Sequence, residues 1–140
     1  MTAVDKIVKK YKTRNPLELA SAMGILVFFE PLGSINGYFT TYSRIKSIHI
    51  NEDLEGPVRD FTIAHELAHC VLHPRENTHF LRSHTYFSVD KLEIQANDFA
   101  VNLLIADDDL MEYQGYTIGQ LASVFGLSKE LISLRVKKLL

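Results

Sequence analysis

The sequence predicts an α+β fold, a small antiparallel sheet packed on a central helix with further helices toward the C-terminus. Three observations carry that reading. Short β-prone runs fill residues 25–50, a long apolar-striped segment bounded by prolines follows, and helical periodicity returns after residue 88 and again in the closing residues.

Asn15 and Pro16 mark a helix cap and first turn, with Gly24 as the stop. Ile25-Leu26-Val27-Phe28-Phe29 reads as the first strand, ended by Pro31 to Gly33. Gly37 to Tyr42 reads as the second. The third runs from Ile45 to Ile50, where Ile48 and Ile50 alternate with Ser47 and His49, so one face is buried and His49 points outward to solvent. A helix is expected from Pro57 to His73, with Phe61, Ala64, Leu67, Ala68, Val71 and Leu72 on its apolar stripe and Pro74 beyond its end. Residues 75–87 lack periodicity and read as a loop. Ser88 is expected to cap a helix reaching Ile105. Two short helices close the chain, the first opened by a capping box at Thr117 and Gln120, the second capped by Ser128 after a break at Gly126.

The 140 residues suit a single domain, 1–140, that includes the helical pair 117–140. A net charge of −2 gives no global pull toward nucleic acid or anionic membrane. Cys70 is the one cysteine, which excludes an intramolecular disulfide and fits a reducing compartment. Met1 to Lys12 lacks the apolar run of a signal peptide, and no segment approaches a membrane span. A cytoplasmic location is the expectation.

The chemistry lies in His65-Glu66-Leu67-Ala68-His69, which matches H-E-x-x-H. On a helix, His65 and His69 fall one turn apart on the same face, where two imidazoles can bind one Zn²⁺ and Glu66 can act as general base. This is the pattern expected of a zincin-type peptidase's active-site helix. Catalytic zinc needs a third protein ligand and one open position. A third histidine ten residues after the first is absent, because Arg75 stands there. Glu93, on the following helix, is the better candidate, although an exposed helix glutamate is the commoner case.

Several motifs in order extend the pattern: Ile48-His49-Ile50-Asn51, then H-E-L-A-H with Leu72-His73, then Glu93-Ile94-Gln95-Ala96-Asn97-Asp98-Phe99-Ala100 with Leu103-Leu104. Together they resemble the ImmA/IrrE family of small metallopeptidases, over most of the chain from Asn15 onward. The resemblance implies that Glu93 is the third zinc ligand, giving a gluzincin-like site of His65, His69 and Glu93. It also implies a protein substrate, a helix-turn-helix repressor whose cleavage relieves repression in a phage or integrative element. Ala106 departs from the family, which often has proline after the Leu-Leu pair.

Other residues are open to two readings. Asn97 and Asp98, one turn after Glu93, are candidates to orient a zinc ligand or simply to be solvated. Tyr38, Tyr42 and Tyr86 are the hydroxyls available to an oxyanion, and the sequence does not choose among them. His73 reads as a helix C-terminal residue, His79 and His84 as solvated loop histidines, and Cys70 as a small buried side chain. The closing helices resemble a helix-turn-helix, with Arg135, Lys137 and Lys138 on the second. A DNA-binding or protein-interaction regulator that keeps the zinc fold without catalysis is therefore the alternative. An intact Glu66 argues for the enzyme.

Overall fold

The computed structural model describes residues 1–73 and 86–137, with side chains from Lys91 onward in the second segment. The elements in order are α1 (Ala3–Tyr11), α2 (Pro16–Ala22), β1 (Leu26–Glu30), β2 (Gly37–Tyr42), β3 (Ile45–Asn51), α3 (Gly56–Leu72), α4 (Tyr86–Leu104), α5 (Asp107–Met111), α6 (Ile118–Phe125) and α7 (Lys129–Val136). The expected α+β class holds. No helix among the described residues is long and apolar enough to cross a membrane.

The helix ends follow local chemistry. In α1, Thr2 Oγ1 accepts from the Asp5 amide and the Asp5 carboxylate accepts from the Thr2 amide, both at 3.1 Å. That T-x-x-D signal and the spacing of Val4, Ile7, Val8 and Tyr11 at i, i+3, i+4 and i+7 both mark α1, an amphipathic helix absent from the expected elements. In α2, Asn15 Oδ1 accepts from the amides of Leu17 and Glu18, and Pro16 occupies the first turn. Thr117 and Gln120 form the expected capping box of α6, and Ser128 caps α7. One expectation shifts at α4: it begins at Tyr86, so Ser88 lies inside the helix rather than capping it, while its end at Leu104 falls within a residue of the expected Ile105. Ala106 opens the short α5, whose Asp109 carboxylate accepts from the Ala106 amide at 3.0 Å.

The sheet departs from expectation in strand direction. Its order is β1-β3-β2, with β2 antiparallel to β3 but β1 parallel to it. The sheet is therefore mixed. Ser43 and Arg44, at φ 49° and 69°, make a two-residue turn that fixes the register Tyr42 opposite Ile45. Residues 31–36 instead carry the chain from one sheet edge to the other, across a gap of two strand spacings, about 10 Å, that β3 then fills. Asn51 pins this crossing: its amide donates to the carbonyls of Gly33 and Ile35.

The inner sheet face presents Phe39, Ile48 and Ile50, all fully buried, to α3. On the other side α4 contributes Ala96, Phe99, Ala100 and Leu103 to the same core. Because α3 is clasped between sheet and helix, every residue from Thr62 to Cys70 is buried, not just a stripe. A second cluster of Val101, Ile105, Leu110, Leu121 and Ile132 joins the end of α4 to α5, α6 and α7.

Candidate metal centre

The burial of α3 on all sides carries polar groups into the core. His65, Glu66 and His69 are 7%, 1% and 0% exposed, so each requires compensation. Their helical spacing turns His65 and His69 toward α4, which delivers Glu93. His65 Nε2 lies 2.8 Å from Glu93 Oε2, His69 Nε2 lies 3.0 Å from Glu93 Oε1, and the two Nε2 atoms are 3.3 Å apart. The three donor atoms lie within 4.8 Å of one another.

The spacing and chemistry of these donors fit a tetrahedral metal. Bonds of 2.0–2.1 Å in a tetrahedron place neighbouring ligand atoms about 3.3 Å apart. Two imidazoles and one carboxylate are ligands suited to zinc and would leave one of its four positions open. The Nδ1 atoms of His65 and His69 are buried without a hydrogen-bond partner among the described residues. Asp98 therefore does not orient either ring: its carboxylate and carbonyl accept from Asn102 Nδ2.

The electrostatics reflect three groups crowded around one position. For His65, burial opposes protonation, but the Glu93 hydrogen bond and the Glu66 and Glu93 charges outweigh it and raise its pKa. Burial dominates at His69, where the neighbouring His65 and His73 add to it, and its pKa falls despite Glu93. Glu93 is also resisted by burial, yet hydrogen bonds from both histidines hold its carboxyl well below the usual range. The site thus keeps an anionic carboxylate among imidazoles, an arrangement a divalent cation completes.

A cleft of about 220 Å³ opens beside these groups, bordered by Gly37 at the start of β2, by Val58, Phe61 and Thr62 of α3, and by Asn97 of α4. Asn97 borders the same cleft as His65 and Glu93. Gly37, Val58 and Thr62 escape a motif-based reading. The available signal is spacing, since Val58, Phe61 and Thr62 precede His65 by seven, four and three residues and share its helix face.

Other candidates lie elsewhere. Tyr38 stacks on His49 at 4.6 Å on the outer sheet face, and Tyr42 is 80% exposed on that same face, so neither borders the cleft. Burial and the Glu30 charge raise the Tyr38 pKa. His49 is not freely solvated as its alternation predicts. Its side chain is 18% exposed, bonded through Nδ1 to Glu30 and through Nε2 to Ser47, and flanked by Phe28. Cross-strand neighbours on a three-stranded face cover what a lone strand would expose. His73 is the C-cap of α3, with its ring 5.5 Å from that of His69. Cys70 is buried as expected. Arg75, His79, His84, Lys138 and the side chains of Tyr86 and Ser88 lie outside the described residues.

Arg135 reverses its expected place. It is 4% exposed, donating from Nε to the Ile105 carbonyl at 2.8 Å and pairing with Asp107. A side chain folded into this joint cannot reach a phosphate backbone. Lys137 is exposed.

Comparison with known proteins bears on the family and the fold. Residues 20–137 match the family model described as the IrrE N-terminal-like domain. The chain is 43% identical over 136 residues to immunity region protein 2 of Bacillus phage phi105, covering 95% of this chain and 86% of that one. It is 35% identical over 130 residues to metallopeptidase ImmA of Bacillus subtilis, covering 89% of this chain and 76% of that one. Among solved structures, a Mycobacterium tuberculosis transcriptional regulator shares the fold with a TM-score of 0.64 at 19% identity. That likeness covers 96% of this chain but only 45% of the regulator, so the chain spans less than half of that protein's length.

Proposed function

Since the chain belongs to the ImmA/IrrE family of metallopeptidases, we propose that it is a zinc-dependent endopeptidase, gluzincin-like in its ligands, which cleaves a partner transcriptional repressor. The observation that carries this reading is the convergence of His65 Nε2, His69 Nε2 and the Glu93 carboxylate beside the buried Glu66. Bound among the three, zinc supplies Lewis acidity that brings the pKa of water toward about 7 and polarises a carbonyl.

Glu66 shares the helix turn of the ligands but stands off from them, its Oε2 3.9 Å from His65 Nε2. From there it accepts the proton of the attacking water and returns it to the leaving amine. To hold the metal, His65 and His69 would present neutral imidazoles and Glu93 would supply the negative charge. β2 is a sheet edge among the described residues and opens at the cleft with Gly37, so an extended substrate adds to it as a further strand.

The partner reading draws support from the phage immunity-region relative and from the ImmA name of the Bacillus subtilis one. We place the protein in the cytoplasm, a location supported by its lone reduced thiol, and treat 1–140 as one domain in which α6 and α7 complete the core. The burial of Arg135 weighs against the DNA-binding alternative. The test is co-expression with a helix-turn-helix repressor encoded beside the gene, followed by an immunoblot for fragments. Wild type should produce them and Glu66→Gln should not. Equal fragmentation by both overturns the mechanism.

A further inference from the structure

The cleft wall beside the three converging groups is more apolar than its residue types suggest. Val58, Phe61, Thr62 and His65 run along one face of α3 and all border the cleft. Thr62 Oγ1 donates its proton to the Val58 carbonyl at 2.7 Å. That bond turns the hydroxyl back into the helix. The Thr62 methyl instead faces Gly37, 3.1 Å from where a Cβ on that glycine would stand. Gly37 itself adds no side chain, so this part of the wall is a methyl against bare backbone. The Phe61 ring leans on the His65 ring, with centroids 5.9 Å apart and planes tilted by 43°. Val58 extends the same surface outward and is 47% exposed.

We infer that Val58 and Phe61, backed by the buried Thr62 methyl, form a specificity subsite for an aliphatic or aromatic substrate side chain next to the scissile bond. The inference rests on the peptidase reading above and adds the class of residue that the site selects. An acidic side chain is disfavoured there for two reasons. The Thr62 proton is already committed to Val58, and the Glu66 carboxylate stands at the same cleft. Burying an apolar side chain against Val58 and Phe61 releases water from both surfaces.

Zinc-binding probes separate the subsite from catalysis. Zinc-loaded protein is titrated by calorimetry with N-acetylglycine, N-acetyl-leucine and N-acetyl-aspartate hydroxamates, which share a chelating group and differ in one side chain. The leucine compound should bind about tenfold tighter than the glycine compound, a ratio ordinary for a small apolar side chain in a partly open pocket. The aspartate compound should bind no tighter than the glycine one. Val58→Asp, at an exposed position where folding is undemanding, should bring the leucine-to-glycine ratio close to one. Firm binding of all three with equal affinity, or a ratio that Val58→Asp leaves unaltered, overturns the subsite and spares the metal site. Failure of the glycine hydroxamate to bind overturns the metal-site reading and the subsite with it.

Discussion

Glu66 and Glu93 are both glutamates at the core of the site, and their surroundings divide their roles. Glu93 faces two imidazoles at ligand spacing, whereas Glu66 Oε2 stands 3.9 Å from His65 Nε2. Glu66→Gln keeps the shape and removes the base. It should retain full zinc by atomic absorption while repressor cleavage falls by about 10²–10⁴-fold. His65→Ala, His69→Ala and Glu93→Ala should each lose zinc instead, and a Glu93→Ala protein with wild-type zinc affinity would remove Glu93 from the ligand set. The raised pKa of His65 sets the pH dependence. A proton competes with the metal for Nε2, so zinc affinity should fall as pH falls, beginning above the ordinary histidine value of 6.5. Below that pKa the loss approaches about tenfold per pH unit, measurable by chelator competition. Cys70 gives an independent check on burial. Burial pushes its thiol up to about 12, against a smaller opposing pull from Lys46. Iodoacetamide at pH 8 should leave it unlabelled in the native protein and label it in urea. The sign of its linkage follows: its contribution to stability is intact below the unfolded value near 9.0 and is lost as pH rises toward 12.

Among the elements, the sheet is the one whose strand directions the sequence leaves open. The run of β-prone residues locates all three strands within a residue or two, but it carries no information on direction. Strands joined by a short link are usually hairpin partners, and β2 and β3 obey that rule through Ser43 and Arg44. β1 does not, because Asn51 holds residues 31–36 across the end of the sheet and lets β3 enter between its predecessors. Two glycines mark where elements approach too closely for a side chain. A Cβ on Gly37 would meet the His49 carbonyl at 2.8 Å, which keeps β2 tight against β3 at the mouth of the cleft. Gly126 ends α6 at φ 67°, and a Cβ there would stand 2.6 Å from Pro57 Cγ. Gly126→Ala should therefore destabilise the fold by about 1–3 kcal/mol in urea denaturation, through both backbone strain and overpacking. A change within a few tenths of a kcal/mol would mean that α3 and α6 are not in contact as described.

On the scale of the molecule, α4 links the two clusters of the core. Its first half carries Glu93 to the centre, and its end is gripped by two arginines. Arg14 donates to the carbonyls of Asn102 and Leu103, and Arg135 to that of Ile105. These carbonyls stand at the end of a helix, where intrahelical partners run out, and the guanidinium groups satisfy them. Arg135→Ala should cost about 1.5–3 kcal/mol, the scale of a lost hydrogen bond to a charged group, seen as a lower urea midpoint. Lys137→Ala, at an exposed position, should leave the midpoint within about 0.5 kcal/mol. Equal effects of the two substitutions would contradict the buried joint. The same contrast bears on nucleic acid, because a DNA reader would lose affinity and salt slope with Lys137 and Lys138, and the isolated chain is expected to show no such salt-dependent binding.

The residue types and their spacing alone determined that His65, Glu66 and His69 would share a helix turn, because 3.6 residues per turn is a local property of the backbone. They also determined the capped helices at Asn15, Thr117 and Ser128, since a cap is a contact between residues two or three apart. Glu93 was reachable only through its motif and the family it resembles; spacing by itself made it an ordinary surface glutamate. Its approach to the histidines depends on how α4 crosses α3, and packing of Ala96, Phe99 and Ala100 in the shared core decides that crossing. For the same reason the tertiary structure alone decided the parallel entry of β3 beside β1, the cover over His49 and the burial of Arg135. Each is a contact between residues distant in sequence, whose free energy exists only once the chain has closed on itself.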